Sequence, residues 1–132
     1  KNPAQLPFIK KCFDILSVRA DCVLVEGAGG WYSPLTEQID NARLAQDLGL
    51  PVIFVVGLRL GCINQARLSM FAIKQSKLPC AGWIAMGIDP QMMEMQGNID
   101  YLKQNLETPL LGVLPFQNAI NFDFFASQIS IK

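Results

Sequence analysis

VIFVVG, residues Val52 to Gly57, is an unbroken apolar run rich in β-branched side chains, with Pro51 ahead of it and a glycine closing it. Branched side chains fit a pleated surface better than a helix, and a run without polar alternation suits a parallel strand covered on both faces. After it, Ile63, Ala66, Met70 and Ile73 mark one face of a long helix that ends before Leu78-Pro79. CAGWIAM (Cys80–Met86) reads as a second buried strand. Ile99, Leu102 and Leu106 give a further helix face, LLGVL (Leu110–Leu114) a short strand, and NFDFFASQI (Asn121–Ile129) a last helix docked by its aromatic side chains.

Before the central run, TEQIDNARLAQDLGL (Thr36–Leu50) reads as a helix that Gly49 stops and Pro51 closes off. CVLVE (Cys22–Glu26) reads as a short buried strand, and the spacing of Ile9, Cys12, Phe13 and Leu16 predicts an amphipathic helix over Leu6–Arg19. Strand and helix alternate throughout. That order predicts an α/β fold of three layers: a mostly parallel sheet with helices on both faces, as one domain over residues 1–132. GIDPQMMEMQGN, residues 87–98, is the one candidate for a mobile loop.

Composition narrows the function. The chain has 132 residues, enough for one core, and 51% of them are apolar, which argues for a packed globular protein. Eleven basic residues balance eleven acidic ones without runs of either sign, so neither nucleic acid nor an anionic membrane is favoured. The longest apolar stretch, Pro51–Leu58, is too short to span a bilayer, and the first residues lack the apolar segment of a signal peptide. Cys12, Cys22, Cys62 and Cys80 show no metal-ligand spacing and read as reduced thiols of a cytoplasmic protein. Histidine is absent, which removes Ser-His, Cys-His and His-metal chemistry.

In a parallel sheet, ligands bind beyond the carboxyl ends of the strands. That rule selects Glu26–Gly30, Gly57–Asn64, Met86–Pro90 and Pro115–Asn118. Glu26 closes an aliphatic strand, a pattern that holds Mg²⁺ beside a nucleotide phosphate, or that simply accepts hydrogen bonds from the next turn. Gly27, Ala28, Gly29 and Gly30 let the backbone approach a ligand, or form only a tight turn. Gly61, Cys62, Ile63 and Asn64 open the long helix and present free N–H groups to a carboxylate or phosphate, with Asn64 alternatively an ordinary helix cap. Asp89 before Pro90 starts a turn, and Trp31, Tyr32 and Trp83 read as packing residues. No G-x-x-x-x-G-K-[ST] phosphate loop occurs in these residues.

VLVEGAGGWYSPL, LPVIFVVGLRLGCINQARLS, AGWIAMGIDP and PLLGVLPF together resemble dethiobiotin synthetase, in the same order and with similar spacing from about Asp21 to Phe116. The resemblance implies an ATP- and Mg²⁺-dependent cyclo-ligase of P-loop NTPase type. Such an enzyme joins CO₂ or bicarbonate to 7,8-diaminononanoate and closes the ring of dethiobiotin, releasing ADP and phosphate. It implies that Glu26 is the metal ligand and lies beside the phosphates. Gly27, Ala28 and Gly29 would line the reacting centre, and Gly61, Cys62, Ile63 and Asn64 would hold the substrate carboxylate across a homodimer interface.

Nucleotide contacts would fall to Glu26, Gly29, Met86, Pro115, Phe116 and Gln117. Met86 stands where the family commonly carries an adenine-reading asparagine, which shifts base recognition toward backbone groups near Pro115–Gln117. The family's phosphate loop, with its lysine, has no counterpart here. The chain therefore reads as the carboxyl-terminal part of such an enzyme, truncated at the N-terminus, inactive alone and with an unpaired sheet edge. A related amidoligase-type P-loop enzyme, or a non-catalytic dimerisation or binding module, are the alternatives.

Overall fold

The computed structural model describes residues 6–131. Its elements run α1 (Leu6–Ser17), α2 (Asn41–Leu48), β1 (Val52–Leu58), α3 (Cys62–Gln75), β2 (Cys80–Gly87), α4 (Met95–Asn105), β3 (Leu110–Leu114) and α5 (Phe122–Ser127). The three strands form one parallel sheet in the order β1-β2-β3, each joined to the next through a helix. The α/β reading of the sequence is borne out.

Local chemistry sets most boundaries. Asp40 caps α2, its Oδ1 accepting the Arg43 N–H at 2.8 Å, and Gly49 ends the helix in the left-handed conformation (φ 65°). The expected helix over Thr36–Leu50 is thus shortened at its start. Residues 36–39 instead turn, with the Leu35 and Thr36 amides both donating to the Ile39 carbonyl. In the segment proposed as a mobile loop, Asp89 Oδ1 accepts the Gln91 N–H at 2.9 Å, the turn expected of Asp-Pro, and α4 already begins at Met95.

The core lies on one face of the sheet. Val56 and Leu58 of β1 and Trp83 and Ala85 of β2 meet Cys62, Ala66 and Met70 of α3, with Ile99 and Leu102 of α4 and the adjoining Leu106. Trp83, Leu58 and Leu102 are wholly buried. The other face of β1 is more open: Val55 is 53% exposed, so this strand is not covered on both faces as its unbroken apolar run suggests.

Two further expectations are corrected. Cys22–Glu26 is not a buried strand: Leu24 is 82% exposed, and no described residue pairs with the segment. A strand exists through its ladder, and apolar sequence alone does not supply a partner. The last helix is not docked by its aromatics either. α5 buries no residue and Phe122 is 78% exposed. The chain end is held by backbone instead, through the Gly112–Ile129 bridge and the Ser130 N–H donating to Leu111 O at 2.9 Å. Gly112 is required there, because a Cβ would lie 3.1 Å from Ile129 Cα and closer still to the Gln128 carbonyl.

Leu102→Ala should therefore cost about 3 kcal/mol by urea denaturation, from lost burial and the cavity left behind. Phe122→Ala should stay within about 0.5 kcal/mol, and a larger loss would restore the aromatic docking of α5.

Lys74 Nζ sits 2.7 Å from Glu107 Oε2, tying the end of α3 to the turn after α4. The hydrogen bond from Lys74, then its charge, holds the Glu107 carboxyl below the usual value. A depressed carboxyl contributes stability above its unfolded pKa and loses it as pH falls through the folded value. Glu107→Gln should therefore narrow the stability difference between neutral and acidic pH, and only slightly, because the pair is solvent-exposed.

Candidate active site

Parallel pairing lines up the strand ends. Gly57 of β1 pairs with Met86 of β2, and Met86 pairs with Leu114 of β3, so the chain leaves all three strands along one edge. This brings residues 57–64, 86–90 and 115–118 to a common rim. The contact is tightest at Gly87, where a Cβ would stand 2.7 Å from the Phe116 backbone nitrogen. Half-buried Met86 is thus one residue from the point where β2 meets the Pro115–Phe116 backbone. Gln117 is engaged locally, its Oε1 accepting the Asn121 N–H at 3.1 Å.

Gly61 precedes α3 as its N-cap in the left-handed region (φ 87°). Asn64 is therefore not the cap: it lies exposed in the first turn, where the Cys62 N–H turns back to the Arg59 carbonyl at 3.0 Å and the Ile63 and Asn64 amides have no backbone acceptor among the described residues. Cys62 is buried as a small hydrophobe, its Sγ 3.6 Å from Asn98 Oδ1 on α4. Half-buried Ile63 completes a helix start whose donors suit an anion. Arg59 is exposed, and its nearest side-chain partner is Gln65 at 3.5 Å.

The glycine turn is held by residues that the sequence reading passed over. Asn41, the first residue of α2, is only 8% exposed, and its Nδ2 donates to the carbonyls of Ala28 (2.8 Å) and Gly30 (2.9 Å). Ser33 Oγ accepts the Gly30 N–H at 2.7 Å, and the Ala42 N–H returns to Trp31 O at 2.9 Å. Gly27 is required by this packing, since a Cβ would lie 2.9 Å from Asn41 Oδ1, and Gly29 adopts φ 80°. Nothing in the residue types marked Asn41, because asparagine at a helix start usually caps. Trp31 is half-buried and Trp83 fully buried, as packing residues, but Tyr32 is exposed.

Glu26 is exposed, and the Gly30 amide donates to Ser33 rather than to its carboxylate. The glycine turn after Glu26 is tied to α2 through Asn41, and the strand ladder includes neither Glu26 nor the turn. Among the described residues no group of three His, Cys, Asp or Glu side chains could hold a metal ion. Glu26 fits Mg²⁺ as a single carboxylate ligand, to be completed by water and phosphate oxygens, which is how that ion is usually held. The groove between α1 and α2, about 280 Å³ and lined by Leu6, Lys10, Leu44 and Asp47, contains none of these residues. No helix among the described residues is long and apolar enough to cross a membrane.

The three-stranded parallel sheet with helical crossovers and turns along its carboxyl edge is the architecture of a P-loop NTPase-like α/β fold. The AAA domain family matches residues 9–122, and the chain belongs to it. Three relatives are each named ATP-dependent dethiobiotin synthetase BioD. The protein from Aromatoleum aromaticum is 50% identical over 86% of this chain and 49% of its own length. That from Nitrosospira multiformis is 47% identical over 85% and 50%, and that from Xanthomonas campestris pv. campestris 45% over 98% and 55%. The chain spans about half the length of the curated relatives it matches. The resemblance to dethiobiotin synthetase in its motifs is borne out.

Gly61 has open space around its Cβ position, so substitution there tests backbone conformation alone. Gly61→Ala should cost about 1–2 kcal/mol in urea denaturation, and Gly61→Asn distinctly less, since asparagine tolerates the left-handed region. Equal costs would remove the conformational explanation.

Proposed function

We propose that these residues form part of an ATP-dependent dethiobiotin synthetase, a cyclo-ligase of biotin synthesis that is inactive as this chain alone. The observation that carries this is 45% identity over 98% of the chain to a relative of that name, and the turns after β1, β2 and β3 leave the sheet along one edge. In this reading 7,8-diaminononanoate takes up CO₂ or bicarbonate as a carbamate. The γ-phosphate of ATP activates the carbamate, and the second amine closes the cyclic urea.

Each candidate residue has a part. The Gly61–Asn64 helix start receives the substrate carboxylate, its N–H groups and positive helix end matching the charge. It does so for the neighbouring subunit of a homodimer. Gly27, Ala28 and Gly29 line the reacting centre, where side chains would crowd phosphate and carbamate. Met86, Pro115, Phe116 and Gln117 border the nucleotide, with backbone groups reading the base in place of a side-chain amide. Glu26 would hold Mg²⁺, which supplies charge stabilisation for phosphoryl transfer. The cytoplasm is the compartment that suits the free thiols and the substrates.

The purified 132-residue chain should form no dethiobiotin from 7,8-diaminononanoate, bicarbonate and MgATP, because these residues include no phosphate-loop lysine. Robust product formation by it would sink that reading. In the full-length protein, Glu26→Gln should lower Mg²⁺-dependent turnover on the order of 100-fold with the fold intact. Unchanged turnover would take Glu26 out of the mechanism. Calorimetry with 7,8-diaminononanoate, with and without MgATP, separates the alternative. Binding indifferent to nucleotide would favour a non-catalytic module.

A further inference from the structure

The residue holding the glycine turn does more than fill space. Asn41 is buried, and both hydrogens of its side-chain amide are spent on two carbonyls two residues apart, those of Ala28 and Gly30. Its Oδ1 is buried without a partner. An unpaired buried acceptor is destabilising, so stability alone does not account for Asn41 at this place.

The consequence follows from peptide geometry. No peptide bond among the described residues is cis. In a trans peptide the C=O of one residue and the N–H of the next point in opposite directions. Drawing Ala28 O and Gly30 O down onto Asn41 therefore turns the Gly29 and Trp31 N–H groups toward the opposite side of the turn. Neither of these amides donates to a backbone carbonyl among the described residues, whereas the intervening Gly30 N–H is occupied by Ser33. The turn thus presents two outward donors with the third tied back.

We propose that Asn41 is a positioning residue. Through the Ala28 and Gly30 carbonyls it orients the Gly29 and Trp31 amides as paired donors to an oxyanion, next to Glu26. The assignment rests on the reading of the Glu26–Gly29 turn as the phosphate side of the site. Asn41 itself touches no reacting atom. It acts by fixing peptide planes that glycines would otherwise leave free, and glycine-rich backbone has the most freedom to lose.

The test uses the ¹⁵N-labelled 132-residue chain and inorganic phosphate, read by amide chemical shifts. Phosphate should move the Gly29 and Trp31 resonances in the wild type. In Asn41→Leu, close in size but without donors, the apparent affinity at those amides should fall roughly fivefold or more, while strand amides keep their shifts. Wild-type turn amides that ignore phosphate, or an Asn41→Leu chain that responds as wild type does, would overturn the proposal. Hydrogen exchange in the wild type needs no variant. The Asn41 side-chain amide should be protected and the Gly29 and Trp31 amides fast, and the reverse pattern would overturn the assignment. Neither readout requires dethiobiotin synthesis, so loss of the proposed activity and loss of this role are told apart.

Discussion

The parallel pairing of β2 with both neighbours is the constraint on which the rest depends. Parallel strands cannot be joined by hairpins, so each connection must cross the sheet through a helix, and α3 and α4 are those crossovers. Their apolar faces close over Val56, Leu58, Trp83 and Ala85, which makes the ladder and the core one cooperative unit. The same pairing sends the ends of β1, β2 and β3 out along one rim. The helix start at Gly61, the Met86–Gly87 strand end and the Pro115–Phe116 backbone are neighbours for that reason alone.

The candidate site has two parts of different physical character. The rim of the ladder is continuous with the core, which holds the wholly buried Trp83 of β2, and at Gly87 the backbone of Phe116 comes too close for any side chain. The Glu26–Gly30 turn is outside the ladder and depends on Asn41 of α2, which donates to the Ala28 and Gly30 carbonyls, and on Ser33, whose Oγ accepts the Gly30 N–H. Its shape is set by three short polar contacts, with little apolar burial beneath it. Small changes at Asn41 or Gly27 therefore bear directly on where the Glu26 carboxylate and the turn amides stand.

Two apolar features are left without partners among the described residues: Val55 on the open face of β1 and Leu24 in the unpaired Cys22–Glu26 segment both stand in solvent. The chain spans about half the length of its curated relatives.

Periodicity and punctuation alone determined the alternation of elements, the three strands at Val52, Cys80 and Leu110, the stop at Gly49 and the turn at Asp89. These are local matters, decided by side-chain branching, by helix-face spacing and by the backbone freedom of glycine and proline. The motifs also carried the family, since chemistry near phosphate and carboxylate constrains short contiguous stretches. Tertiary structure decided what depends on a distant partner. CVLVE has strand sequence but no ladder, the NFDFF aromatics have apolar surface but no core to enter, and Asn64 lost the cap to Gly61. Asn41 is the clearest case. Its role comes from two carbonyls eleven and thirteen residues away, brought beneath one amide only when the chain folds back on α2.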